Sequence, residues 1–329
     1  MNKILIDKYG RTLNYLRLSV TDRCNFRCYY CMPEEGVNFA DRKDLLTFGE
    51  LEEITHLFTR LGVNKIRITG GEPFVRKGIM PFLENLSKNG QLEQITVTSN
   101  GTLSTTQMAH LKSLGILKIN ISLDALDRQR FFDMTRRDRF DEVYQCVLDL
   151  MADGFEVKLN CVVADDKNIQ DIVPFIELTS AYPLSVRFLE EMPFNGKSTF
   201  VKPVWNHHQI FQHILSHYPH LQKLEDEKSG TSVNYKIPGY QGSFGIIPSF
   251  SRTFCGTCNR IRLSATGELR TCLYGPPATN LRDLIRSGAS METVEREIIY
   301  AVASREKDGF AAEAQSEKSP KKSMSFLGG

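Results

Sequence analysis

The chain has 329 residues, with 41 Lys and Arg against 39 Asp and Glu, and a formal net charge of +2. Its ordinary apolar and charged fractions describe a globular chain with room for one large domain and a smaller one. A charge so balanced excludes a strong general field for nucleic acid or a membrane surface, and no run of about 18 apolar residues offers a membrane span.

The start, Met1-Asn2-Lys3-Ile4-Leu5, carries no apolar signal region, so a cytoplasmic protein is expected. In that compartment disulfides are rare and grouped cysteines point to metal. Beyond the start, six segments alternate in strand fashion: Tyr15–Val20, Lys65–Thr69, Ile95–Ser99, Leu117–Leu123, Phe155–Val163 and Leu184–Glu190. Helical patterns separate them at Thr47–Leu61, Gly78–Asn89, Ser104–Leu114, Phe140–Met151 and Ile169–Ser180. Thr47 with Glu50 reads as a capping box, and Ser104 and Asp138 as further helix starts. Strict alternation of strand and helix implies parallel βα units with right-handed crossovers. The fold class expected is α/β: an incomplete (β/α)6 TIM-like barrel.

Alternation within the strands separates two faces. Leu16, Leu18, Ile66, Ile68, Val97, Ile119, Ile121, Leu159 and Phe188 belong to the face under the helices. Arg17, Arg67, Thr98, Asn120, Ser122, Lys158, Asn160 and Arg187 belong to the other. A closed parallel barrel fills its interior with branched apolar side chains. A polar inner face on six strands instead implies a wet channel that holds a polar ligand.

After Trp205 the alternation stops. His207–His217 reads as a helix, Val233–Ile237 and Ser243–Pro248 as strands, and Asn280–Ser287 and Met291–Ser304 as helices. The division expected is a barrel over residues 1–230 and a C-terminal α+β extension over residues 231–329. The polar stretch Lys307–Ser325 reads as mobile when unliganded.

Two tight groups of cysteines carry the chemistry. Cys24, Cys28 and Cys31 sit just after the first strand, at the end where barrels build active sites. Three thiolates in one loop can cap three irons of a cubane cluster and leave the fourth iron open. Structural zinc wants four closed ligands, and no fourth Cys or His lies near this loop. Cys255, Cys258 and Cys272 form the second trio, also without a nearby fourth ligand; a second cluster fits, and a zinc knuckle completed by a distant His stays open. Cys146 and Cys161 read as small buried hydrophobes. Arg260 and Arg262 alternate on a probable strand beside the second trio, and guanidinium groups suit phosphate oxygens.

The first trio, with Tyr30 just before its last cysteine, resembles the signature of the radical S-adenosylmethionine superfamily. Thr69-Gly70-Gly71-Glu72-Pro73, Thr98-Ser99-Asn100-Gly101 and Ser122-Leu123-Asp124 resemble its other landmarks. The resemblance implies S-adenosylmethionine contacts at Tyr30, Gly71, Ser122 and Met192. The two trios together, Cys258-Asn259-Arg260-Ile261-Arg262 and a Gly328-Gly329 end resemble the GTP 3′,8-cyclase family of molybdenum cofactor biosynthesis. That likeness implies two [4Fe–4S] clusters and S-adenosylmethionine as cofactors. It implies GTP contacts at Arg17, Arg67, Thr98, Lys158, Arg260 and Arg262, with Arg187 added from the shared face, and a tail whose Gly328 and Gly329 enter the active site. It implies a flavodoxin- or ferredoxin-type reductant, a product passed to cyclic pyranopterin monophosphate synthase, and a homodimer. A radical enzyme that modifies a peptide is the alternative.

Overall fold

The computed structural model describes residues 4–165, 167–195, 202–316 and 322–328. Twelve strands form one sheet: β1 Tyr15–Ser19, β2 Lys65–Thr69, β3 Gln94–Ser99, β4 Lys118–Ser122, β5 Glu156–Val163, β6 Ser185–Glu190, β7 Gln222–Lys223, β8 Val233–Lys236, β9 Ser243–Ile247, β10 Arg260–Leu263, β11 Glu268–Arg270 and β12 Thr279–Asn280. Their order is β12-β11-β10-β1-β2-β3-β4-β5-β6-β9-β8-β7. The run from β10 through β1–β6 to β9 is parallel throughout. Short antiparallel pairs finish each side. The fold is α/β with a mostly parallel sheet.

All six expected strands are present, within a residue or two of their expected ends. The sheet differs from expectation in its extent. Two more parallel strands come from residues after 230: β9 pairs with β6 and β10 with β1. The C-terminal region therefore continues the same sheet at both sides. The physical reason is that β1 and β6 would otherwise present bare edges, whose backbone groups need partners.

The apolar strand face packs where expected. Leu16, Leu18, Ile66, Ile68, Val97, Ile121, Leu159 and Phe188 are fully buried. Phe48–Arg60 begins with the Thr47/Glu50 capping box, and Thr105–Ser113 begins with one made by Ser104 and Gln107. Cys146 and Cys161 are buried in the core, as small hydrophobes. Asp138 does not cap Phe140–Ala152; it pairs with Arg128 at 2.8 Å.

Among the described residues three helices were not anticipated, the last of them the four-residue Met324–Leu327. Arg128–Thr135 starts at Asp127, whose side chain accepts from the Arg130 N–H, and it buries Phe131 and Met134. Gly309–Ala314 falls inside the stretch expected to be mobile. Asp308 caps it, Glu313 pairs with the buried Arg252 at 2.6 Å, and Phe310 lies 4.3 Å from that guanidinium. This part of the stretch is therefore ordered by a buried ion pair and a cation–π contact. Among the described residues no helix is long and apolar enough to cross a membrane.

Candidate functional site

The polar strand face lines a cavity of about 780 Å³. All six grouped cysteines border it, Cys24, Cys28 and Cys31 in one part and Cys255, Cys258 and Cys272 in another. Tyr30, Gly71, Ser122 and Met192 also border it, as do Arg17, Arg67, Thr98, Lys158, Arg187, Arg260 and Arg262. Residues spread over the chain thus face one space.

The first cysteine loop leaves β1 and turns tightly. The Cys31 and Met32 N–H groups both donate to the Cys28 carbonyl, and the Phe26 N–H points at the Cys24 sulfur at 3.3 Å. The loop is gripped from outside by residues following the unanticipated helix Arg128–Thr135. Arg136 donates to the Arg27 and Met32 carbonyls, and Arg137 to the Asn25 carbonyl. Burial pushes the Cys24 thiol up to about 11 and Cys31 to about 12, and drives Cys28 well above the thiol range. These thiols are neutral at pH 7 in the metal-free protein, and binding metal as thiolates would release their protons.

Gly70 and Gly71 lie between this loop and β2. A Cβ on Gly71 would fall 2.4 Å from the Arg23 carbonyl oxygen, and one on Gly70 2.7 Å from the Thr21 carbonyl oxygen. The glycines thus permit close approach of the chain to itself. Gly71→Ala is expected to cost about 1–3 kcal/mol through overpacking and to weaken iron retention at the first trio. Thermal unfolding and an iron assay on the variant check this; unchanged stability and iron would show that the loop yields without strain. Next to them, Glu72 is fully buried and accepts from Ser99 Oγ and the Asn100 and Phe74 N–H groups. Burial lifts its carboxyl to about 7. Tyr30 donates to the buried Asp124 at 2.8 Å, and that fixes its ring at the cavity wall.

The basic residues form a row set by strand register. Arg262, Arg17 and Arg67 are direct neighbours across β10, β1 and β2. Arg260 sits beside Tyr15 in the same pairing. Burial would raise the Tyr15 hydroxyl, but Arg67 and Arg17 outweigh it and bring it down to about 8. Burial and the neighbouring Arg262 pull Arg17 well below the usual guanidinium range. The Nε atoms of Arg17, Arg187 and Arg260, and Nη2 of Arg260, are shielded and have no hydrogen-bond partner among the described residues. Thr98 accepts from Arg67 at 3.2 Å. Lys158 reaches Glu156 at 3.2 Å and Glu227 at 3.7 Å, the latter on the β7–β8 connection.

The chain end returns to this row. The Gly328 carbonyl accepts from Thr69 Oγ1 at 3.1 Å and from Arg262 Nη1 at 3.3 Å. Ser323 Oγ donates to the Cys31 carbonyl at 2.6 Å. Leu327 packs with Phe194 and Tyr274. Gly329, named with Gly328 from the sequence, lies outside the described residues.

Among the described residues no three His, Cys, Asp or Glu side chains gather around one ion-sized point. Around the second trio, sequence reasoning missed two arginines. Arg11 Nη1 donates to the Cys255 carbonyl at 3.0 Å, its Nη2 to the Glu306 carbonyl, and its Nε pairs with buried Asp7. Arg305 donates to the Cys258 sulfur and carbonyl, each at 2.9 Å. Neither belongs to a recognisable motif; their spacing from the cysteines is 244 and 47 residues.

A family model of the radical SAM superfamily matches residues 18–179, and one described as Molybdenum Cofactor Synthesis C matches residues 184–311. The mitochondrial GTP 3′,8-cyclase of Arabidopsis thaliana is 39% identical over 330 residues, covering 100% of this chain and 84% of that protein. The GTP 3′,8-cyclase of Petrotoga mobilis is 38% identical, covering 99% of this chain and 100% of that protein. The molybdenum cofactor biosynthesis protein 1 of Dictyostelium discoideum is 40% identical, but this chain spans only 52% of its length. Among solved structures, Streptococcus suis SuiB matches with a TM-score of 0.62 at 14% identity, over 96% of this chain and 77% of that one. At that identity the likeness concerns the fold alone.

Proposed function

The chain belongs to the GTP 3′,8-cyclase family of radical S-adenosylmethionine enzymes, and from that premise we propose that it converts GTP to (8S)-3′,8-cyclo-7,8-dihydroguanosine 5′-triphosphate, the first step of molybdenum cofactor biosynthesis. The observation that carries this reading is one cavity bordered by both cysteine trios and by shielded guanidinium N–H groups that have no partner among the described residues.

The donor set fits the groups the reading requires. Cys24, Cys28 and Cys31 would hold one [4Fe–4S] cluster, and Cys255, Cys258 and Cys272 a second. With S-adenosylmethionine bound, the first cluster supplies a low-potential electron and hence a hydrogen-abstracting carbon radical. Tyr30, Gly71, Ser122 and Met192 line the space beside the first trio's loop and would position that cofactor. A triphosphate carries about four negative charges at neutral pH. Arg17, Arg67, Lys158, Arg187, Arg260 and Arg262 would bind it, since half-buried and buried like charges on adjacent strands ask for an anion. Thr98 would add a hydroxyl contact. Gly328, held by Thr69 and Arg262 beside Arg17, would place the chain end against the substrate.

The polar inner face of β1–β6 supports reading the sheet as an incomplete TIM-like barrel over residues 1–230, with residues 231–329 bringing the second cluster to its mouth. Within that reading the enzyme is cytoplasmic and homodimeric, takes its electrons from a flavodoxin- or ferredoxin-type protein, and hands its product to cyclic pyranopterin monophosphate synthase. Protein purified and reconstituted without oxygen is expected to hold roughly eight irons per chain. With S-adenosylmethionine and reductant, 5′-deoxyadenosine release is expected to depend on GTP. Release that ignores GTP would favour the peptide-modifying alternative, and zinc at either trio would overturn the assignment.

A further inference from the structure

We propose that Arg305 is a positioning residue of the second cluster: its N–H groups hold Cys258 by carbonyl and sulfur, and its charge raises the cluster's midpoint potential. The inference rests on the reading of the second trio given above.

Arg305 is only 4% exposed, although it is neither in the trio's loop nor on the polar strand face. It follows the helix Met291–Ala303, and its own N–H donates back to the Val302 carbonyl at 3.1 Å. Its position is therefore built by a separate element that packs Val294, Ile298 and Val302 into the core. From there the guanidinium donates one N–H to the Cys258 carbonyl and another to the Cys258 sulfur, both at 2.9 Å. Its neighbour Arg11 differs: it reaches backbone carbonyls of Cys255, Glu306 and Lys307, and the sulfurs are not among its partners.

Hydrogen bonds and positive charge at a cluster's sulfurs stabilise its more negative, reduced state. The redox step is a single electron: the oxidised 2+ cluster accepts it from a low-potential donor such as dithionite and becomes 1+, with no bond broken and no proton moved.

The test uses the full chain with Cys24, Cys28 and Cys31 all changed to Ser, leaving the second cluster alone, titrated with dithionite under EPR. Arg305→Met is expected to give a more negative midpoint at unchanged iron content. Arg305→Lys, which keeps the charge and a single compact donor, is expected to fall between parent and Met. A midpoint equal to the parent's in any iron-loaded variant overturns the proposal, and so does an Arg305→Lys midpoint more positive than the parent's. If neither variant loads iron while Arg11→Lys does, Arg305 holds the cluster in place, which keeps the positioning role and refutes the tuning. A parent triple-Ser protein without iron would instead refute the second cluster itself.

Discussion

Cys28→Ser is expected to bring 5′-deoxyadenosine formation below detection, whereas Cys258→Ser is expected to spare it and to lose cyclisation of GTP. The two substitutions are chemically alike, so the difference comes from place. Cys28 lies in the loop that leaves β1, its carbonyl accepting from two N–H groups that close the turn, and Coulombic coupling to Cys24 and Cys31 marks the three thiols as close neighbours. A serine hydroxyl stays protonated there and is a poor iron ligand, so the first cluster loses one of its three anchors. Cys258 borders another part of the same cavity, beside Arg260 and Arg305. Its loss removes about four irons but leaves the first loop, the Gly70-Gly71 turn and Tyr30 unchanged. Iron counts, EPR of the remaining cluster and chromatography of deoxyadenosine and the cyclised nucleotide measure both arms. Deoxyadenosine from Cys28→Ser, or full cyclisation by Cys258→Ser, would break the division of labour between the trios.

How much of this was legible beforehand follows from the range of the interactions. The six βα units are local: period-two strands, 3.6-residue helices and caps such as Thr47 with Glu50 all lie within a few residues of each other. The polar inner face followed from the same alternation, and the structure brings every basic residue named from it to one cavity. The pairing of β10 with β1 and of β9 with β6 was not legible, because register between segments 245 and 58 residues apart leaves no local mark. The helix Arg128–Thr135 escaped because its charged residues hide a buried pair, Phe131 and Met134. That miss had a functional side: Arg136 and Arg137, just beyond it, secure the first cysteine loop. Gly309–Ala314 escaped because its order depends on Arg252, a residue 61 positions from Glu313. The resemblance makes Gly71 a cofactor contact, and the structure gives the glycine pair a nearer reason, the backbone of Thr21 to Arg23.

Arg17→Met is expected to weaken GTP binding strongly while making the ligand-free protein more stable. Arg17 borders the cavity, flanked in register by Arg262 and Arg67. Like charges side by side on adjacent strands destabilise a sheet, and here Arg262 is buried and Arg17 and Arg67 half-buried, so that burial and the neighbouring Arg262 hold Arg17 well below the usual guanidinium range. Its Nε lacks a partner among the described residues. In the empty cavity this group is therefore a cost, and a methionine of similar length removes it; a gain of about 1–2 kcal/mol in stability is expected, in line with replacement of buried ionic groups by apolar ones. With a triphosphate bound the balance reverses. Taking away one partner of a desolvated charge pair costs about 3–5 kcal/mol, a loss of roughly 10²- to 10⁴-fold in affinity. Calorimetry with GTP and urea unfolding of the iron-loaded protein, with and without GTP, measure the two signs separately. Lower stability together with unchanged GTP affinity would make Arg17 a structural residue and leave the strand row without its anion. The opposed signs are the physical content of the site: a fold that tolerates repulsion along β10, β1 and β2 when empty has reserved that free energy for a polyanion.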